Sequence, residues 1–220
     1  MKNLYIVANW KSNLTALEAR KWFQEVSSSK LQISNEKTII ICPPFTLLPY
    51  TQHNIQVSSL SWRVGGQNIS PFDEGAYTGE INGKQIKEFA DYVIIGHSER
   101  RKNFNESDEI LFQKVELANK HGLTPIFCVQ GKETQIPPGV AMIAYEPVNA
   151  IGTGNPDTAE NAEKVTAFFK EKYNIQHALY GGSVTSKNVK GFTQMQSIDG
   201  VLIGGASLDA QEFYAIIQNS

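Results

Sequence analysis

Glu146 is the residue whose setting first suggests chemistry. It follows the apolar run AMIAY (141–145), is stopped at once by Pro147, and precedes a short stretch holding Gly152 and Gly154. A carboxylate that ends a strand beside a segment able to exclude water suits general-base work, because desolvation raises its basicity. Standing alone, it would read more readily as a solvated loop acid. His97 lies in IIGHSERR, after an apolar run and a glycine and just before a helix start at Ser98-Glu99-Arg100. A helix N-terminus disfavours imidazolium, so a neutral ring there could donate a hydrogen bond to a carbonyl; a structural histidine is the competing reading. Lys11, in ANWKSN, follows Asn9 at the end of the first apolar run. It is a surface lysine or, from a barrel mouth, a cation that steadies a developing enolate.

Glycines supply the third component. YGGSV (180–184) and IGGAS (203–207) end the last two apolar runs. Each offers unobstructed backbone N–H groups at a turn before a helical pattern, a cradle for phosphate. A carboxylate, a neutral imidazole, an ammonium and two such cradles describe proton abstraction next to a carbonyl on a small phosphorylated substrate, through an enediolate. No cluster has metal-ligand spacing and no nucleotide-binding glycine motif follows a strand, so neither metal nor cofactor is expected.

Eight elements must position these groups. LYIVA, TIIIC, RVGGQ, YVIIG, PIFCV, AMIAY, HALYG and GVLIG recur at fairly even intervals as continuous apolar runs, the pattern of parallel strands covered on both faces. Helical patterns intervene. Thr15 with Glu18 has capping-box spacing, Asp157 with Glu160 repeats it, and Ser107 precedes a helix that ends at His121-Gly122. The expected fold is a (β/α)8 barrel formed by residues 1–220 as one domain, with a doubly wound open sheet as the alternative. Two intervals fit poorly. VQGKETQIPPGV, after Cys128, reads as loop, so the fifth helix is expected to be short or absent; QHNIQVSSLSW is weakly helical. Barrel enzymes carry reactive groups at strand C-terminal ends and phosphate after the last two strands, where these motifs fall.

Composition excludes several classes. With 220 residues, a net charge of -2 and scattered charges, the chain has no basic field for nucleic acid or anionic membrane. No apolar run reaches the length of a membrane span, and Cys42 and Cys128 read as free core thiols, so a cytoplasmic location is expected.

NWK (9–11), GHSERR (96–101), YEPVNAIGTG (145–154), YGGSV and DGVLIGGASL (199–208) together closely resemble the triosephosphate isomerase family, in the family's order and over nearly the whole chain. The resemblance implies interconversion of D-glyceraldehyde 3-phosphate and dihydroxyacetone phosphate, in glycolysis and gluconeogenesis. It implies Glu146 as base, His97 as neutral electrophile, Lys11 as positive charge and Asn9 as a ligand of substrate oxygens. Gly152, Ser183, Gly204 and Gly205 would hold phosphate through backbone N–H groups, under a closing lid from Pro147 to Gly154. GAYTGE (75–80) resembles the family's dimer loop, which implies a homodimer with Thr78 as the contact. The sequence departs from the family's pattern at Asn149, where the lid normally has Trp, at Gln130 in place of Gly, and in a fifth helix expected to be short or absent. Other phosphate-binding barrels share the glycine cradles; Lys11, His97 and Glu146 in their motifs separate this chain from them.

Overall fold

A computed structural model describes residues 2–28, 36–147 and 155–220. Among these, eight parallel strands close into a barrel in chain order. They are β1 (Leu4–Asn9), β2 (Lys37–Cys42), β3 (Arg63–Gly66), β4 (Tyr92–Ile95), β5 (Thr124–Val129), β6 (Met142–Tyr145), β7 (His177–Tyr180) and β8 (Gly200–Ile203). Each of the eight apolar runs supplies one strand, and closure rules out the open sheet.

The unbroken apolar runs have a two-sided cause. Successive side chains of a strand point to opposite faces. Val7, Ile40, Ile94, Ile126 and Leu179 fill the barrel interior. Their neighbours Ile6, Ile39, Ile41, Val93 and Ile95 pack outward, under the helices. Both faces are dry, so neither tolerates a polar alternation. The β1–β8 seam depends on one glycine. Tyr5 pairs with Gly200, and a Cβ at Gly200 would stand 2.0 Å from the Tyr5 carbonyl oxygen.

The cover consists of α1 (Ala16–Ser28), α2 (Leu48–Val57), α3 (Gly83–Lys87), α4 (Ser98–Phe104), α5 (Asp108–Lys120), α6 (Ala159–Tyr173), α7 (Val189–Thr193) and α8 (Ala210–Asn219). The Thr15–Glu18 capping box forms, with Glu18 Oε2 accepting from Thr15 N–H at 2.7 Å and Thr15 Oγ1 from Glu18 N–H at 3.4 Å. Ser107 caps α5, which ends before Gly122 at φ +70°. One expected cap is corrected. The N-cap of α6 is Thr158, whose hydroxyl accepts from Asn161 N–H, and Asp157 stands one residue outside it. The weakly helical stretch before β3 is half helix, because α2 starts upstream at Leu48 with Pro49 in its first turn.

Among the described residues no helix lies between β5 and β6. Pro137 and Pro138 cannot sit inside a helix, and local bonds organise the link instead. Gln130 N–H donates to Thr134 Oγ1 at 3.1 Å, while Val140 and Ile136 pack on the core in place of a helix. No helix among the described residues is long and apolar enough to cross a membrane.

Tyr5, Tyr92 and His177 lie at the N-terminal ends of β1, β4 and β7, and the two tyrosines pack against the interior cluster. The Tyr5 hydroxyl lies 3.3 Å from His177 Nε2. Burial holds the His177 imidazole below its usual 6.5, outweighing the raising effect of Asp199. The folded protein therefore takes up this proton at lower pH than the unfolded chain does. The stability due to neutral His177 is full above about pH 6.5 and is lost as pH falls below it. Unfolding free energy should accordingly fall more steeply from about pH 7 to about pH 5 in the parent than in His177→Gln. Urea melts across that range check this; parallel slopes would remove His177 from the pH dependence.

Candidate active site

The C-terminal ends of the strands bring the reactive side chains to one mouth of the barrel. Asn9 ends β1, Glu146 follows β6 directly, and His97 follows β4 after one glycine. With Lys11, Ser183, Gly204 and Gly205 they line a single cavity of about 280 Å³, to which Val184 and Leu202 add apolar wall.

Glu146 is 1% exposed, and both its oxygens are engaged. Oε2 accepts from Ser98 N–H at 2.8 Å, and Oε1 lies 2.9 Å from His97 Nε2. His97 Nδ1 in turn accepts from Glu99 N–H at 3.2 Å. A ring nitrogen that accepts carries no proton, so His97 is the neutral Nε2–H tautomer and donates to Glu146. The start of α4 makes both contacts, with His97 as its N-cap. Arg101 locks that turn, donating from Nε to the Gly96 carbonyl at 2.9 Å and from Nη1 to Asp108 at 3.0 Å. Cys128 projects from β5 into the barrel interior toward Glu146. Burial first, and then the Glu146 carboxylate, push its thiol well above the usual range, so it stays protonated.

Lys11 is held in a left-handed conformation, φ +53°, of the kind that costs about 1–3 kcal/mol and persists only where neighbours impose it. Its N–H donates to Asn9 Oδ1 at 3.1 Å. Gln67 Nε2 donates to the Lys11 carbonyl at 2.9 Å and to the Cys42 carbonyl at 2.8 Å, joining the ends of β1 and β2 from the end of β3. The Lys11 ammonium pairs with Glu99 and passes over Gly204, where a Cβ would stand 3.1 Å from Lys11 Cε.

The glycine turns are equally fixed. Ser183 also has positive φ, +50°, and its carbonyl accepts from Asn188 Nδ2 at 3.0 Å. Gly205 opens a 3-10 turn (Gly205–Leu208). Ser207 Oγ donates to the Gly204 carbonyl at 2.7 Å, and Trp22 Nε1 of α1 donates to the Ser207 carbonyl at 3.1 Å.

Asn9, Lys11, His97, Glu146, Ser183, Gly204 and Gly205 thus share one cavity. Gly152, Asn149 and the expected lid from 148 onward lie outside the described residues. Thr78 does not join the cavity; it is exposed, on the loop between β3 and α3. Sequence reasoning missed Gln67, although RVGGQ places it at a strand end just as NWK and YEP place Asn9 and Glu146. It also missed Asn188 and the buried Lys114–Glu106 pair that Arg100 of α4 joins.

Fold and site together put the protein among the (β/α)8-barrel enzymes, with the site at the C-terminal face as that class requires. Comparison narrows the class to one family. Residues 4–220 match the family model for triosephosphate isomerase. Curated relatives of that name include those of Trichodesmium erythraeum (37% identical, covering 99% of both chains), Synechococcus sp. strain JA-3-3Ab (38%, 99% of this chain and 95% of the relative) and Mesomycoplasma hyopneumoniae strain 232 (39%, 98% of each). The chain therefore belongs to the triosephosphate isomerase family.

Lys114 is 2% exposed and pairs with Glu106, which also accepts from Arg100 Nε at 2.7 Å. Burial lowers the Lys114 ammonium below its usual range despite Glu106. Lys114→Met removes one partner from a buried charge pair and should cost about 3–5 kcal/mol of stability, read from urea unfolding. A loss below about 1 kcal/mol would show that Arg100 alone satisfies Glu106.

Proposed function

We propose that Glu146, His97 and Lys11 interconvert D-glyceraldehyde 3-phosphate and dihydroxyacetone phosphate, the reaction of the family. The observation that carries the assignment is the His97 Nε2–Glu146 Oε1 contact of 2.9 Å inside the cavity that also holds Lys11. With substrate bound, one Glu146 oxygen turns from its hydrogen bonds to the substrate carbon and takes its proton. The electron pair moves to the neighbouring carbonyl oxygen, giving the enediolate. His97, neutral with the proton on Nε2, donates to that oxygen and accepts the proton of the adjacent hydroxyl. Glu146 then returns its proton to the other carbon. The Lys11 ammonium offsets the negative charge as it develops. Asn9 holds substrate oxygens, and the N–H groups around Ser183, Gly204 and Gly205 take the phosphate, with Gly152 assigned by resemblance. Glu146→Gln should lower turnover about 10²–10⁴-fold in a coupled assay while a phosphate-bearing inhibitor still binds. Turnover within tenfold of the parent would assign the base elsewhere.

The working unit on this reading is a homodimer in which Thr78 meets a second copy, each chain acting as one barrel domain. Support comes from Phe72 and Tyr77, stacked at 4.3 Å and 8° yet 45% and 44% exposed. Paired aromatics displayed on a braced loop suit a protein interface. Asp73 braces the loop by accepting from Lys120 and His121, partners that hold its carboxyl down at about 2. Sedimentation of Thr78→Arg should show monomers with activity lost; an active dimer would overturn the assignment. The glycolytic role and two buried free cysteines support a cytoplasmic location.

A further inference from the structure

We propose that the Asp157 carboxylate is a positioning group for Glu146, acting through the hydroxyl of Tyr145. The inference rests on Glu146 being the base.

Tyr145 is the last residue of β6 and immediately precedes Glu146. The two side chains leave the strand on opposite faces. Glu146 lines the cavity, while Tyr145 packs in the outer layer, 5% exposed. The outward end of Tyr145 is tied, its hydroxyl donating to Asp157 Oδ2 at 3.2 Å.

Asp157 is itself held on every side. Oδ2 also accepts from Asn161 Nδ2 at 2.6 Å, Oδ1 accepts from Thr158 N–H at 2.8 Å, and its own N–H donates to the Tyr180 hydroxyl at 2.8 Å. Tyr180 stands opposite Tyr145 in the β6–β7 pairing and immediately precedes Gly181-Gly182-Ser183. One residue therefore grips both the side chain before the base and the side chain before a phosphate turn. Helix capping does not account for this, because Thr158 supplies the cap of α6.

The Tyr145 phenol is suited to a permanent donor. Burial first, and then the Asp157 charge, push it up to about 12, so it keeps its proton at any working pH. With the tyrosine pinned, the backbone torsions between residues 145 and 146 have little freedom, and the Glu146 carboxylate inherits a fixed point of departure. Misplacing a reacting group by a fraction of an ångström costs rate while leaving substrate binding largely intact.

The test is a double-mutant cycle read in kcat and KM. Asp157→Ala and Tyr145→Phe should each lower kcat about five- to tenfold with KM within about twofold. The combined variant should be no slower than the slower single, because both remove the same link. Asp157→Asn, which keeps a carbonyl oxygen for the phenol, should recover most of the loss. A parent-like kcat in Asp157→Ala overturns the proposal, as does multiplication of the two losses in the double variant. Should Asp157→Ala not fold, Tyr145→Phe decides alone, and a parent-like kcat there overturns it. Glu146→Gln measured alongside separates the two readings. Parent-like turnover in Glu146→Gln removes the base assignment itself, whereas loss there with an intact Asp157→Ala removes only the role of Asp157.

Discussion

Two adjacent backbone N–H groups at the start of α4 fix the arrangement of the Glu146 and His97 side chains. Ser98 N–H holds one oxygen of Glu146, and Glu99 N–H occupies Nδ1 of His97. The first keeps a buried carboxylate satisfied without a cation against it. The second forces the ring proton onto Nε2, where it faces the cavity. Neither effect needs a specific side chain at 98 or 99; both need the helix to begin where it does. Surrounding contacts support that placement, including the clamp of Arg101 on Gly96 and Asp108 and the ion pair of Arg100, on α4, with the buried Glu106–Lys114 pair.

A second principle recurs around the mouth. Residues that line the cavity hold their places through strained or tightly tethered backbone, and the tethers come from side chains elsewhere around the mouth. Lys11 and Ser183 both adopt positive φ without being glycine. Gln67 holds the former from the end of β3, and Asn188 holds the latter from the start of α7. Strain of this kind confines each group to one position, so a ligand entering the cavity would find it already ordered.

The barrel and most of its mouth were legible in the sequence because both follow from simple rules. Two dry faces make strands read as unbroken apolar runs, and LYIVA through GVLIG appear that way. Chemistry at strand ends then directs attention to Asn9, Lys11, His97 and Glu146. What stayed hidden depends on long-range partners. Gln67 looks like any polar residue until β1 and β2 lie beside it, and Lys114 resembles a solvent-facing helix lysine until Glu106 and Asn68 close over it. The spacing of Asp157 to Glu160 matches a helix cap. Thr158, one residue later, reaches the same helix, and the freed carboxylate turns to Tyr145.

The link between β5 and β6 bears on how such a barrel can shrink. Closure is a matter of strand pairing, and β5–β6 keeps a full parallel ladder although no helix joins those strands. What a helix would otherwise supply is a lid of apolar surface over Phe127, Val129, Ile143 and Tyr145. Ile136 and Val140 supply it here from irregular chain, while Lys132 reaches across to the ring of Phe168 on α6. At this one place in the outer ring, a few well-placed aliphatic residues keep water off the strands without a helix. The absence of a helix there leaves the Glu146 contacts untouched, because they come from Ser98 and His97 at the start of α4 and not from the β5–β6 link.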